Sequence, residues 1–305
     1  MKPMNLVVLG TLAFDSIQTP FGKVENVLGG SATYFSLAAR NFSEVGIVGV
    51  VGKDFPHEHL EFLKNKKIDL RGVEKTEGKT FRWEGYYEYD MDQAHTLKTE
   101  LNVLETFEPK IPDEYVGCEY LFLANTDPEI QLEVLKRIKP RHSFCDTMNF
   151  WIEHKNAELT ELLKKVDGVF INEGEARQYC KTPNLIQAGR KLLKLGPKKI
   201  IIKKGESGAL FFSDKEFFVA PAYPLEIVKD PTGAGDSFAG GTVGHLAKHQ
   251  EFTDAAIKKS MVCGSVVASY VVENFGVESY KKLKHEHIQE RYDTFKRIVA
   301  FDHEF

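Results

Sequence analysis

The sequence lacks long apolar runs and is poor in cysteine. No stretch reaches the roughly 18 apolar residues that span a bilayer, and the run from Leu6 to Leu9 is too short for a signal-peptide core. The four cysteines, Cys118, Cys145, Cys180 and Cys263, lie far apart and form no Cys-x-x-Cys pair. This spacing argues against a zinc site or a disulfide framework and predicts a cytoplasmic protein with buried, reduced thiols.

Charge of one sign is not in excess either. The 305 residues include 40 Lys and Arg and 44 Asp and Glu, a formal net charge of −4. That balance provides no global field for gathering nucleic acid or an anionic membrane, so neither is expected as a partner. Hydrophobic residues make up 42% of the chain and charged residues 28%. These proportions allow a large buried core and exclude wholesale disorder.

Two common nucleotide-binding loops are absent as well. Residues 72–80 approach the Walker pattern, but five residues separate the two glycines and an aromatic strand pattern follows instead of a helix. The dinucleotide-binding pattern Gly-x-Gly-x-x-Gly also fails, because Gly233 and Gly235 are followed by another glycine only at Gly240. A nucleotide site in this chain must therefore have another form.

Short β-branched strands alternate with amphipathic helices along most of the chain. Strand patterns lie at 6–9, 45–51, 120–123, 169–171, 200–202, 209–212 and 216–219, and helix patterns at 31–41, 56–66, 129–138, 153–165 and 175–195. The alternation predicts right-handed βαβ crossovers and a single α/β domain over residues 1–305. In that domain, helices cover both faces of a doubly wound, mostly parallel sheet.

One region breaks this alternation. In residues 80–90, aromatic side chains alternate with charged ones, so that Phe81, Trp83, Tyr87 and Tyr89 share one face of a strand. Strands buried on one face only are typical of an antiparallel sheet and not of the parallel core. The aromatic face is either the core of a separate sheet or a surface that stacks on a ligand, and the first interpretation is favoured.

Further strand patterns complete this small sheet. Residues 95–103 continue the alternation, with Leu97, Leu101 and Val103 on one face, and residues 12–28 can add two more strands. Together they predict a β lid, built from about residues 12–28 and 80–105, that covers one edge of the main domain. A homodimer formed through the apolar face of this lid is a further prediction.

A glycine-rich turn that opens a helix carries the chemistry. It reads Asp230-Pro231-Thr232-Gly233-Ala234-Gly235-Asp236, and the helix runs on toward His249. Such a turn points free N–H groups at one spot, where the helix dipole favours negative charge. Gly-x-Gly-Asp alone is more often a capped helix start. A carboxylate at an anion site is useful, however, if it takes a proton, as phosphoryl transfer requires.

The longer run 230–238 resembles the C-terminal signature of the ribokinase-like carbohydrate kinases, a family that includes adenosine kinases and phosphofructokinase-B-type enzymes. Gly29-Gly30, residues 45–55 and Asn172-Glu173-Gly174-Glu175 resemble the family's substrate loop, second strand and Asn-x-x-Glu motif, in the family's order. The resemblance covers most of the chain. It implies a kinase that transfers the γ-phosphoryl group of ATP to a hydroxyl of a sugar or related polyol.

The resemblance also implies a role for each matched residue. The reacting groups are the catalytic base Asp236 and the anion hole Gly233, Ala234 and Gly235. The acceptor contacts are Asp15, Gly29, Gly30 and Tyr34, and the nucleotide contacts are Lys203, Lys204, Gly205, Gly208 and Thr232. Asn172 and Glu175 organise Mg²⁺ and its waters, and Asp230 matches a position where many members bind K⁺. Oxygen donors just after a buried strand suit a hard cation.

One departure from the family's pattern bears on the acceptor. Tyr34 stands where many sugar kinases have Asn, which removes a familiar hydroxyl contact. Tyr34 and the aromatic lid face suit a nucleoside, which is the alternative acceptor. A hypothesis of another class is a protein that binds sugar or nucleotide without turnover. Asp236 argues against it, because a pure binder has no use for a base beside an anion site.

Overall fold

The computed structural model describes residues 3–91 and 93–300. The strands of its main sheet are β1 (Leu6–Leu9), β4 (Val45–Gly52), β5 (Asp69–Thr76), β8 (Tyr120–Leu123), β9 (His142–Cys145), β10 (Gly168–Asn172), β11 (Lys199–Lys203), β12 (Ala209–Phe212) and β13 (Phe217–Ala220). A separate small sheet consists of β2 (Ala13–Thr19), β3 (Gly22–Gly29), β6 (Arg82–Tyr87) and β7 (Ala94–Glu100).

The helices lie mainly between the strands of the main sheet and after the last strand. They are α1 (Ser31–Ala39), α2 (His57–Asn65), α3 (Pro128–Ile138), α4 (Asn149–His154), α5 (Asn156–Leu163), α6 (Glu173–Cys180), α7 (Leu185–Leu193), α8 (Ala234–His249), α9 (Asp254–Val271), α10 (Glu278–Lys282) and α11 (His285–Ile298). Within the described ranges, none of them is both long and apolar enough to cross a membrane.

The main sheet is doubly wound, as the sequence predicted. Its strand order is β13-β12-β11-β10-β9-β8-β1-β4-β5, and only the β11–β12 and β12–β13 pairs are antiparallel. Alternate residues of β1 join different apolar clusters: Leu6 and Val8 pack with α1, α8 and α9, and Val7 and Leu9 pack with α3, α5, α6 and α7. Because the remaining strands of the main sheet are parallel, their carboxyl ends lie at one edge of the sheet, and ligands of such sheets bind at that edge.

Two strands and two helix breaks were not predicted. The edge strand β5 is largely polar and pairs only with β4, as suits an edge, and β9 has His and Ser among its four residues. The helix predicted at 175–195 is split, because Pro183 cannot continue it. The helix predicted at 153–165 is interrupted at Lys155, which has φ −135° and pairs with Asp127.

The small sheet has the strand order β3-β2-β6-β7, with β2 and β6 parallel. Asp15 pairs with Trp83 in register, and Tyr87 lies four residues further along β6 on the same face. Trp83 and Tyr87 thus share a face as predicted, whereas the placement of Tyr89 on it was wrong, because Tyr89 lies beyond the end of β6 and is 90% exposed. Leu97 and Val103 were wrongly placed on one buried face, because β7 ends at Glu100 and Leu97 is 60% exposed whereas Val103 is 7% exposed.

All four cysteines are buried and unpaired, as expected for structural thiols. Burial raises the pKa of Cys118 to about 12 and that of Cys180 to about 11. Thiols with such pKa values stay protonated at neutral pH and are poor nucleophiles.

Candidate active site

The turn before α8 leaves backbone donors free at the carboxyl edge of the main sheet. Gly233 is the N-cap with φ 76°, and no side chain of the described residues caps the helix. A Cβ on Gly233 would overlap the Tyr34 ring, so this position requires glycine. The Ala234 N–H donates to the Pro231 carbonyl at 3.1 Å, but the N–H groups of Gly233 and Gly235 meet no acceptor among the described residues. These two donors remain available to an anion.

Asp236 lies in the first turn of α8, next to these donors, and is half-buried. Burial, together with the carboxylates of Asp146 and Asp15, raises the pKa of Asp236 to about 8, while Lys203 acts in the opposite direction. A carboxyl group with a pKa near neutrality is suited to accept and release a proton there. The structure thus places the predicted base beside the predicted anion site.

Asp15 reaches the same site from β2. It is 4% exposed, and its carboxylate lies against the backbone of Gly29. A Cβ on Gly29 would overlap this carboxylate, so the absence of a side chain at Gly29 makes room for it. Burial, and to a lesser extent Asp230, raises the pKa of Asp15 to about 7. A buried carboxylate with few protein partners is well placed to bind the hydroxyl groups of a ligand.

Tyr34 is buried under the turn, and its hydroxyl has no hydrogen-bond partner within the described ranges. Burial and the nearby Asp15, Asp230 and Asp236 raise the pKa of Tyr34, so the phenol stays protonated and is a donor. Buried donors are rarely left without an acceptor. A polar atom of a bound ligand would satisfy this one.

Asn172 and Glu175 form a capping box at the start of α6. The Asn172 Oδ1 accepts the Glu175 N–H, and the Glu175 Oε2 accepts the Asn172 N–H, both at 2.8 Å. Glu175 is buried, which raises its pKa, and its other oxygen, Oε1, has no hydrogen bond in the described part of the chain. The local pattern Asn-x-x-Glu is a known helix-start signature, from which this capping box could have been predicted.

The other predicted nucleotide and cation contacts lie around this edge, and their roles stay predictions. The Lys204 N–H donates to the Gly208 carbonyl at 2.8 Å, which closes the exposed turn around Gly205. Thr232 donates to the Tyr87 hydroxyl at 3.3 Å and so links the turn to the small sheet. Asp230 accepts the backbone N–H groups of Thr232 and Gly276 at 2.9 and 3.0 Å.

Asp146 was not predicted as a site residue. It follows β9, a strand that was itself not predicted, and its Oδ2 accepts a hydrogen bond from the Lys203 ammonium at 2.5 Å. The only signal was Asp146 directly after Phe144-Cys145, a polar residue at the end of a short apolar run. Asp146 is 4% exposed and raises the pKa of Asp236, so it belongs to the site.

Known kinases are similar to this chain in sequence and in fold. A cytidine kinase of Thermococcus kodakarensis is 34% identical over 245 residues, 78% of this chain and 87% of that protein. A nucleoside kinase of Burkholderia thailandensis, in complex with ADP-inosine, has a TM-score of 0.77 at 16% identity and covers 95% of each chain. An Escherichia coli protein assigned as ribokinase II, with ATP and Mg²⁺, has a TM-score of 0.75 at 17% identity, covering 95% of this chain and 99% of that one.

The family model of the pfkB carbohydrate kinases matches residues 5–282. That range includes the substrate loop, the Asn-x-x-Glu motif and the glycine turn described above. The ribokinase-like fold predicted from the sequence is thereby confirmed. The chain belongs to the pfkB family of carbohydrate kinases, phosphotransferases that act on a hydroxyl group of a small molecule.

Proposed function

We propose that the protein transfers the γ-phosphoryl group of ATP to a ribose hydroxyl of a nucleoside, with Asp236 as the general base. The observation that carries this proposal is the position of Asp236, a carboxylate with a raised pKa directly beside two N–H groups that have no acceptor in the described part of the chain. A base and an anion hole at one spot are the two protein groups that phosphoryl transfer to an alcohol requires.

The chemical step assigns one task to each group. The acceptor hydroxyl gives its proton to the Asp236 carboxylate while its oxygen forms a bond to the γ-phosphorus. The bond from that phosphorus to the bridging oxygen breaks, and ADP leaves with the electron pair. The N–H groups of Gly233 and Gly235 donate to oxygens of the phosphoryl group and stabilise its charge. Asp236 afterwards releases the proton to solvent.

A nucleoside is proposed as the acceptor on two grounds. The cytidine kinase at 34% identity spans most of this chain. In addition, Trp83 pairs in register with Asp15 on one face of the small sheet, so a carboxylate for ribose hydroxyls and an indole for a base share that face. A free sugar or polyol, which the sequence favoured, is the second candidate and is supported by Asp15 without the indole.

The residues at the nucleotide side fit Mg²⁺. Glu175 has an unpaired oxygen beside the carboxylates of Asp146 and Asp236 and would hold the ion, with Asn172, through waters. Mg²⁺ neutralises charge on the nucleotide phosphates when bound.

A K⁺ requirement through Asp230 stays a hypothesis. It is tested by comparing activity in K⁺ salts with activity in tetramethylammonium salts. The lid-mediated homodimer also stays a prediction, and light scattering tests it.

The test is ADP release from ATP with cytidine, uridine, adenosine, inosine, ribose, fructose and myo-inositol as acceptors. We expect kcat/KM for one or more nucleosides to exceed that for the free sugars by about 100-fold, because the nucleobase of a bound nucleoside adds contact area with the protein. Highest activity with a free sugar or inositol would replace the nucleoside assignment. Ligand-induced thermal stabilisation without ADP release from any acceptor would favour the binding protein without turnover.

A further inference from the structure

Lys203 brings a side-chain cation to the glycine turn. It is the last residue of β11, at the carboxyl edge of the main sheet, and its side chain is 17% exposed. A Cβ built on Gly235 would lie 3.3 Å from the Lys203 Nζ, which places the ammonium against the turn that holds the free N–H donors. The family resemblance implied a nucleotide contact for Lys203 but no part in the transfer step.

The surroundings of Lys203 keep it charged. Burial alone would lower its pKa, but the carboxylates of Asp146, Glu175 and Asp236 together raise it. An ammonium group has three N–H donors. Among the described residues, the Lys203 ammonium donates to Asp146 only. Two donors of a protonated, largely buried cation therefore remain free at the place where an anion would bind.

A second lysine on the same strand is also largely buried in an ion pair, but at the other end of the strand. Lys199 begins β11, points to the same face of the sheet and pairs with Asp254. Its ammonium lies 5.8 Å from the Phe211 ring centroid and 5.7 Å from that of Phe252. Lys199 is thus enclosed by an acid and two rings at the edge opposite to the glycine turn.

We propose that Lys203 is a catalytic residue that contacts the phosphoryl group during transfer, and that Asp146 is a positioning residue that holds Lys203 in place. The proposal rests on the proposed function, because it needs a γ-phosphoryl group at the turn. The ammonium stabilises the negative charge on the phosphoryl oxygens as the bond to the β–γ bridging oxygen breaks. No proton moves to or from Lys203 in this step.

The experiment uses Lys203→Met, Lys203→Arg and the matched control Lys199→Met in the full chain. We expect Lys203→Met to lower kcat by about 10²–10³-fold, the effect of removing one preorganised donor, while the acceptor KM changes by less than about threefold. Lys203→Arg should recover part of this loss, because it keeps the charge. Lys199→Met should leave kcat and KM unchanged.

A binding measurement separates this role from a structural one. Calorimetry with Mg²⁺ compares AMP-PNP, which has a γ-phosphoryl group, with ADP, which does not. We expect the preference of the wild type for AMP-PNP to fall about tenfold or more in Lys203→Met, since the lost contact is at the γ position. If Lys203→Met does not fold, the double variant Lys203→Met with Asp146→Asn removes both charges and serves the same comparison.

The outcomes separate the two proposals. A folded Lys203 variant with wild-type kcat and an unchanged preference for AMP-PNP would overturn the role of Lys203 and leave the proposed function intact. A wild type that neither binds nucleotide nor releases ADP would overturn both. Equal losses of kcat in Lys203→Met and Lys199→Met would show that Lys203 acts through the fold alone, which also overturns the assignment.

Discussion

The two ends of strand β11 each carry a largely buried lysine that pairs with an aspartate, but the surroundings of the two pairs differ. Lys199 and Lys203 lie about 13 Å apart along the strand, and their side chains are 12% and 17% exposed. Each pairs with an aspartate, and each lies near the start of a long helix, α9 for Lys199 and α8 for Lys203. We call the end at Lys199 the closed end and the end at Lys203 the open end.

At the closed end, the polar groups satisfy one another. Thr253 caps α9 by accepting the Ala256 N–H, and Asp254 accepts hydrogen bonds from both Lys199 and Ser213. Although burial would raise the pKa of Asp254, these two donors hold it below its ordinary value. A charge that is more favourable in the folded state than in the unfolded state stabilises the fold.

At the open end, some hydrogen-bond donors and acceptors have no partner among the described residues. The helix α8 begins at a glycine without a side-chain cap, and three carboxylates face the single ammonium of Lys203. The pKa of Asp236 is raised to about 8, which means that its charge is unfavourable in the fold. The open end therefore contributes less to stability, and its unpaired groups are the ones that a ligand can contact.

The largest expected difference between the two ends is in turnover. Asp236→Asn removes the base, so kcat should fall by about 10³-fold or more, with ADP affinity nearly unchanged. Asp254→Asn at the closed end should keep kcat within about twofold, because it contacts no reacting group. Single-turnover ADP release at saturating acceptor measures both. A loss of less than tenfold for Asp236→Asn would contradict the base assignment.

The second difference is in the pH profile. Only deprotonated Asp236 can take the acceptor proton, so kcat/KM for ATP should rise with pH through a midpoint near the pKa of about 8. Lys203→Met should move this midpoint upward, since Lys203 lowers the pKa of Asp236, whereas Lys199→Met should not move it. A rate that is already constant above pH 6 would show that Asp236 does not limit turnover in this range.

The smallest expected difference between the two ends is in stability: we expect a substitution at the open end to raise Tm and one at the closed end to lower it. The folded pKa of Asp15, about 7, lies above its ordinary value of 3.8. The folded state therefore keeps a proton that the unfolded state loses, and stability falls by up to about 4 kcal/mol as the pH rises between these values. Asp15→Asn should accordingly raise Tm by several degrees at pH 8, with little change at pH 4.

Lys199→Met is the matched variant at the closed end. It leaves the Asp254 carboxylate without its cation, so Tm should fall at pH 8. Differential scanning calorimetry at pH 4 and pH 8 gives both values. Changes of the same sign at pH 8 would mean that the two ends do not differ in electrostatic balance.

Much of the fold and part of the site were predictable from local patterns. Buried β-branched strands and amphipathic helices repeat with regular periods, so the doubly wound sheet followed from them. The turn at Gly233 and the base Asp236 are adjacent in sequence and were therefore visible as one motif. The capping box of Asn172 and Glu175 was equally local, and its two hydrogen bonds could have been anticipated.

The sequence alone specified the fold class, through the alternation of strands and helices, and the position of the candidate base, through the glycine turn. Both depend on neighbouring residues, because periodicity and turn chemistry act locally. The pairing of Lys203 with Asp146, 57 residues apart, was decided only by the tertiary structure, as was the packing of Tyr34 under Gly233. Such contacts depend on which strands are neighbours in the sheet and which segments meet at its edge, and no local sequence pattern specifies that arrangement.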